Sequence, residues 1–393
     1  MFKRILTTLA ISAALQASAF AQETIKVGVV HFEAGPFTGL SKYMVEAATF
    51  GIDALNAQGG ALGRKYELVL QSHAGTPAAA VTAVQRLIEQ QGASFVTGLQ
   101  VSSTGLAVAA KMPQLNGIVI DPSTASDALS GKSCTANYFR ISMNDAMIMN
   151  ANRNIVRQSG VKTWDVLAAD YAAGHDYAEK FIALIKELGG SPQATLFAPL
   201  STTDFGSYIS QLGAKPADGL MVMYPGAGAI ALAKQQQQFG LFAKYKNVIT
   251  AYFTNDVFVD AQGESTVGLT TLQDYQWELP GAQNAAYVKA FEARLKRKPN
   301  YLDGNMQVAL DVLHAAILKA RSTDVAAVRT ALSGLKTATV GGELELRAAD
   351  HQAIRPMSLL KVVKAGEGKA MMKMQEVIPA SAITFPASPD CKL

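Results

Sequence analysis

Two spacings of apolar residues take turns through this sequence, every second residue over short stretches and every third or fourth over longer ones. Ile25-Lys-Val-Gly-Val-Val30 is a β-branched run broken by Gly35-Pro36, after which Val45, Ala48, Ile52 and Leu55 recur at helical spacing up to the stop at Gly59-Gly60. Tyr66, Leu68 and Leu70 alternate as a strand, followed by a helix over 78–91, a strand over 94–97, a helix over 104–112 and a strand over 117–121. After Tyr138–Ile141 the rhythm restarts, with strands at 164–168, 194–198, 220–224 and 248–252 and helices between them at 146–159, 175–188, 204–213 and 228–239. Helices over 283–297, 302–320 and 324–333 come next, then a turn at Gly341-Gly342 and β-rich sequence that includes 357–363. Strand, helix, strand repetition with short linkers calls for parallel sheets covered by helices on both faces. The expected fold class is therefore α/β with two doubly wound, Rossmann-like lobes. In such sheets ligands sit beyond the carboxyl ends of the strands, where strand order reverses, and two such edges facing each other make a cleft.

The N-terminus bears on compartment. Lys3 and Arg4 precede an uncharged, mostly apolar run from Ile5 to Phe20, and Ala19-Phe20-Ala21 offers small residues at −3 and −1 for cleavage before Gln22. That run is short of the roughly 20 residues a membrane span needs, and residues 1–21 read as a signal peptide that exports the chain. A retained membrane anchor is the competing reading. The remainder is about 370 residues, two domains at ordinary size. Of the 393 residues 49% are apolar, ample for two cores, and loss of Lys3 and Arg4 lowers the formal charge from +4 by two. That near balance argues against nucleic-acid or membrane-surface partners, and Arg294-Leu-Lys-Arg-Lys298 reads as cations at a helix end. Cys134 and Cys391 form an even pair in an exported chain, which points to one disulfide tying the tail to the middle of the sequence, with two free buried thiols as the alternative.

Candidate chemistry is that of binding. Gly98-Leu-Gln-Val-Ser102-Ser103-Thr104-Gly105 lies between a strand and a helix, where exposed backbone N–H groups and the positive dipole end favour an anion. The plain alternative is that Ser102 or Ser103 caps its helix. Asp121-Pro-Ser123-Thr124 follows the next strand and puts a second hydroxyl cluster on the same lip. Opposite, Tyr171 and Tyr224 stand at strand ends of the second lobe, each with an apolar face and a hydrogen-bonding tip. Enzyme signals are poor. The five His residues make no i, i+4 pair, and neither G-x-S-x-G nor G-x-G-x-x-G occurs. Gly131-Lys132-Ser133 lacks the first glycine of a phosphate loop, and S-x-x-K at Ser333 and Ser358 lacks its partner motifs. The expectation is a non-enzyme with no cofactor and no metal.

Taken in order, Gly35-Pro36 with Thr38-Gly39, Ile52-Asp-Ala-Leu-Asn56-Ala-Gln-Gly59-Gly60-Ala-Leu-Gly63-Arg64, Phe139-Arg140, Asp170-Tyr171-Ala-x-Gly174, Thr203-Asp204-Phe205 and Phe239-Gly240-Leu241 resemble the branched-chain amino-acid-binding (leucine/isoleucine/valine-type) family of ABC transporter substrate-binding proteins. The run from Gly341 to Arg347 with Asp350-His351-Gln352 is similar to a proteobacterial subgroup. The resemblance implies a type I periplasmic binding protein fold with three crossovers. Lobe 1 would be 22–142 plus 278–355, and lobe 2 would be 143–277 plus 356–393. It implies a monomer that captures a small carboxylate or amino acid for an ABC permease of the inner membrane, with a sensor feeding a membrane receptor as the alternative. It carries the ligand carboxylate onto Ser102, Ser103, Ser123 and Thr124, and brings Tyr171 from the second lobe. Ala125 stands where amino-acid binders of the family often have Thr, and His73 where an acid is usual. Phe32, Phe37, Tyr252, Tyr275 and Trp277 point to an aromatic pocket, and so to an aromatic or branched acid.

Overall fold

The computed structural model of the protein describes residues 23–35 and 37–393; the expected signal peptide and Pro36 lie outside the described residues. Five strands form the first sheet: β1 (Ile25–Phe32), β2 (Tyr66–His73), β3 (Phe95–Thr97), β4 (Ile118–Asp121) and β5 (Tyr138–Arg140). They run parallel in the order β2-β1-β3-β4-β5. The second sheet begins with β6 (Thr163–Ala169), β7 (Ser191–Ala198), β8 (Gly219–Met223), β9 (Asn247–Ala251) and β10 (Thr270–Gln273). These five are parallel in the order β7-β6-β8-β9-β10, so the second half repeats the winding of the first. A small antiparallel sheet follows, of β11 (Lys336–Thr339), β12 (Gly342–Leu346) and β13 (Ala353–Ile354). The antiparallel hairpin β14 (Met357–Gly366) and β15 (Lys369–Ile378) then adds to the β10 edge of the second sheet. β4 and β8 are buried at every position, as parallel strands covered on both faces must be.

Helices fill the crossovers. In the first half they are α1 (Thr38–Ala57), α2 (Pro77–Gln85) and α3 (Ser102–Lys111). The second half holds α4 (Asp145–Ser159), α5 (Ala172–Glu187), α6 (Gly206–Ala214), α7 (Gly228–Phe239) and the single turn α8 (Val259–Gln262). Then come α9 (Ala282–Leu295), α10 (Tyr301–Ala320), α11 (Val325–Leu332) and the short α12 (Ala380–Ile383). Local chemistry sets their starts: Asn144 accepts the Met147 N–H at 2.9 Å to cap α4, and Asn300 with Asp303 forms a capping box on α10. The helix expected over 78–91 changes register near its end, where Arg86–Gln90 is a π-helical turn.

The chain passes between the two sheets three times, after β5, after β10 and after β13. Two fully buried guanidinium groups brace these passages. Arg140 donates from Nε to Gln352 Oε1 at 2.7 Å and from Nη2 to Ser130 Oγ at 2.6 Å. Arg355 donates from Nη2 to the Asp274 carbonyl at 2.7 Å. The tail forms a further link. From the edge of the second sheet it packs Ile383 beside α4, where Asn150 Nδ2 donates to the Ile383 carbonyl at 3.0 Å. It then reaches the first half, where Arg347 donates to the Phe385 carbonyl and Cys391 is disulfide-bonded to Cys134, Cα to Cα 5.5 Å.

Candidate functional site

Both sheets point the carboxyl ends of their parallel strands at one cleft of about 1190 Å³, measured out to open solvent at its mouth. From the first half come Phe37 and Leu40 after β1, Gln100 to Ser102 after β3, Ser123 and Ala125 after β4, and Ser142 and Met143 after β5. From the second come Tyr171 after β6, Pro225 and Gly226 after β8, Tyr252 and Asn255 after β9, and Gln273 and Asp274 at the end of β10. Strand order reverses between β1 and β3 and again between β6 and β8, so the cleft lies where both switch points meet.

One end of the cleft is rich in hydrogen-bond donors. Ser102 does not cap α3; its Oγ accepts the N–H groups of Ala125, 3.3 Å, and Ser126, 3.1 Å, which leaves its own proton to donate. The loop bearing Ser123 is shaped by buried Asp121, which accepts the N–H groups of Ser123 at 3.0 Å and Thr124 at 3.1 Å and the Tyr138 hydroxyl at 2.6 Å. Gly105 lets α3 come this close to that loop, since a Cβ there would stand 2.8 Å from Tyr138 Oη and 3.1 Å from Thr124 Cγ2. Gln100 turns its Oε1 to the Ser41 hydroxyl at 2.6 Å, and its Nε2 is buried without a partner. Sequence reasoning passed over Gln100, because an amide in a strand-end loop carries no signal until its surroundings are known.

The walls are apolar and aromatic, with Phe37, Tyr171, Tyr252, Phe258 and Tyr301 among them. Burial pushes the phenols of Tyr171 and Tyr252 up, so they act as neutral hydroxyls. Tyr252 follows β9 with φ 56°, a left-handed backbone that a β-carbon disfavours. The charged residues on the wall are both acids, Asp145 and Asp274, and among the described residues no Lys, Arg or His lines it. Asp274 accepts the Met143 N–H at 3.0 Å and Asn305 Nδ2 at 3.3 Å; burial raises its carboxyl and Arg355 opposes the rise. Asp145, 3% exposed, is pushed up to about 7 by burial, against the pull of Lys180. Sequence reading missed it because an acid after a capping Asn looks like ordinary first-turn chemistry.

Of the residues singled out from sequence, Ser102, Ser123, Tyr171 and Tyr252 line the cleft. Four others do not. Ser103 is one helical step from Ser102 and faces solvent. The Thr124 hydroxyl is donated to Asp121. Tyr224 is buried, with its hydroxyl donated to the Pro199 carbonyl. Phe32 is buried against His73, ring centroids 4.6 Å apart, and Phe37, 5.7 Å, and it is Phe37 that reaches the cleft. Tyr275 likewise packs inside the first half, its hydroxyl on Asn284 Oδ1 at 2.8 Å, and Trp277 lies beneath Lys298. No group of three or more His, Cys, Asp or Glu that could hold a metal ion occurs among the described residues.

The sequence profile described as periplasmic binding protein matches residues 24–367. The chain belongs to that family. A Leu/Ile/Val-binding protein homolog 6 of Brucella melitensis is 24% identical over 378 residues, covering 94% of this periplasmic binding protein and 95% of that one. An amino acid ABC transporter substrate-binding protein of Pseudomonas fluorescens superposes with a TM-score of 0.83 at 23% identity, covering 93% of this chain and 98% of its own. A solute-binding protein of Rhodopseudomonas palustris in complex with 3,4-dihydroxybenzoic acid superposes with a TM-score of 0.82 at 20% identity, covering 91% and 98%. These likenesses show the type I periplasmic binding protein fold.

Proposed function

We propose that this protein captures a small monocarboxylate with an apolar or aromatic body in the cleft and delivers it to an ABC permease in the inner membrane. The observation that carries this reading is the donor-rich end made by Gln100, Ser102 and Ser123, set against aromatic walls. A carboxylate satisfies the orphaned Gln100 amide and the free serine protons, while its body covers apolar wall. The relatives support that class of ligand, one named for leucine, isoleucine and valine, another solved with 3,4-dihydroxybenzoic acid.

The division of labour follows the sheets. Lobe 1, residues 22–142 and 278–355, holds the carboxylate, and lobe 2, residues 143–277 and 356–393, supplies Tyr171 and Tyr252 and closes on it by a hinge motion about the three passages. Cleavage before Gln22 releases a monomer into the periplasm. Among the described residues no His lines the cleft to activate Ser102 or Ser123, which supports binding over catalysis. Nucleic acid is not a partner, given the near-balanced charge.

Native mass spectrometry of freshly purified protein identifies any ligand carried through. A thermal-shift screen of branched and aromatic acids and amino acids then measures specific stabilisation, about 2.7 kcal/mol at a hundred times the dissociation constant. If sugars or polyamines stabilise the protein and no carboxylate does, the reading is wrong.

A further inference from the structure

Carboxylate capture, the reading on which this inference rests, sets the acid group of the ligand against the donors at one end of the cleft. On the wall beside those donors stands an acceptor short of hydrogen bonds. Asp145 is fixed beside the Ser123 loop by its backbone N–H, which donates to the Ala125 carbonyl at 2.9 Å. Its side chain lines the cleft and is almost wholly buried. Among the described residues no hydrogen-bond donor reaches its carboxylate. The nearest cation, Lys180 Nζ, is 3.7 Å away and sits closer to Asp127, at 2.7 Å. Asp274, the other acid on the wall, is already served by Met143 and Asn305. A buried carboxylate short of donors is costly, and a bound molecule that brings one removes the cost.

We propose that Asp145 is the specificity-determining residue of the cleft: it accepts an N–H or O–H donor carried by the bound acid. Aminated or hydroxylated monocarboxylates are thereby selected over the bare acids, and dicarboxylates are excluded. The exclusion follows from charge, because a second carboxylate on the ligand would meet Asp145 and Asp274 with no cation on the wall to offset them.

Isothermal titration at pH 8 with matched ligands tests this. One arm compares phenylalanine and 3-phenyllactate with 3-phenylpropionate, a second compares 4-hydroxybenzoate with benzoate, and a third adds phthalate, terephthalate and phenylsuccinate. In the wild-type protein at least one donor-bearing ligand binds about tenfold or more tighter than its bare partner, the worth of a hydrogen bond to a charged group. The dicarboxylates bind about a hundredfold more weakly or not at all. Asp145→Asn, which keeps an acceptor but not the charge, abolishes preference for the ammonium and keeps preference for a hydroxyl. Asp145→Leu abolishes both while still binding the bare acid, which also shows that the variant is folded. A wild-type ratio near one in both series overturns the proposal, as does a ratio that survives Asp145→Leu, and in either case carboxylate capture still stands. If the wild-type protein binds no member of any series, this proposal falls, and carboxylate capture falls with it if the branched acids and amino acids of the thermal-shift screen also fail to stabilise the protein.

Discussion

Removing the Cys134–Cys391 bond by the double change Cys134→Ser and Cys391→Ser tests whether the tail is a structural tie between the halves. The cross-link joins residues 257 apart, so the unfolded chain it constrains includes the whole second sheet and the small antiparallel sheet, but only β5 of the first. Loop-closure entropy for a loop of that size sets a ceiling of about 5.5 kcal/mol, and native disulfides usually deliver about 2 to 5 kcal/mol. Part of the tail has other anchors: Ile383 is fully buried, its carbonyl accepts from Asn150, and the Phe385 carbonyl accepts from Arg347. The double variant therefore still folds, with a loss of about 2–4 kcal/mol in urea titrations. Amide exchange separates the two parts of the effect. Residues after Phe385 lose protection outright, whereas Asn150 and its neighbours on α4 change only as global stability changes. Wild-type protein treated with dithiothreitol gives the same pattern. A loss under about 1 kcal/mol, or protection retained to the C-terminus, would refute the reasoning.

Three further outcomes concern single sites. Gly304→Ala places a Cβ 2.1 Å from ring atoms of the fully buried Tyr275, in the first turn of the largely buried helix α10, and lowers stability by about 3 kcal/mol in thermal melts. Burial lowers the His351 imidazole to about 4, so the unfolded chain binds a proton near 6.5 that the folded chain takes only near 4. Stability is thus lost as pH falls from 6.5 to 4, by up to about 3 kcal/mol, and His351→Gln flattens that stretch of the pH–stability curve in urea titrations. Tyr224→Phe leaves the Pro199 carbonyl without its donor and costs about 1 kcal/mol of stability. Its affinity for whichever acid stabilises the wild-type protein stays within about twofold by calorimetry, whereas Tyr252→Ala weakens it.

The winding of both sheets is legible because their strands are mostly short apolar or alternating runs with an amphipathic helix after them. The exception is β10, whose sequence Thr-Thr-Leu-Gln carries no apolar run. Threonine hydroxyls tie it to β9, Thr250 Oγ1 of β9 donating to the Thr270 carbonyl at 3.1 Å and Thr271 Oγ1 of β10 to the Thr250 carbonyl at 3.3 Å. The strand is polar because Thr271 to Asp274 form part of the cleft wall, so the hydrophobic signal fades where a strand has a binding surface to present.

The same physics explains which site residues sequence could reach. Hydroxyls between a strand and a helix mark an anion-binding lip, but adjacent residues on a helix point about 100° apart, and only tertiary phase separates Ser102, inside, from Ser103, outside. Thr124 and Tyr224 fail for a second reason: each has a hydroxyl that a buried acceptor claims, Asp121 in one case and the Pro199 carbonyl in the other. Gln100 is the reverse case, a buried donor without a partner, and Asp145 comes near it, a buried acid that faces Lys180 only at 3.7 Å. An unpaired donor and a donor-starved acid on one cleft cost stability in the empty protein. That cost is offset only when one molecule satisfies both, which ties closure of the cleft to recognition of two polar groups on its ligand, an acid and a donor.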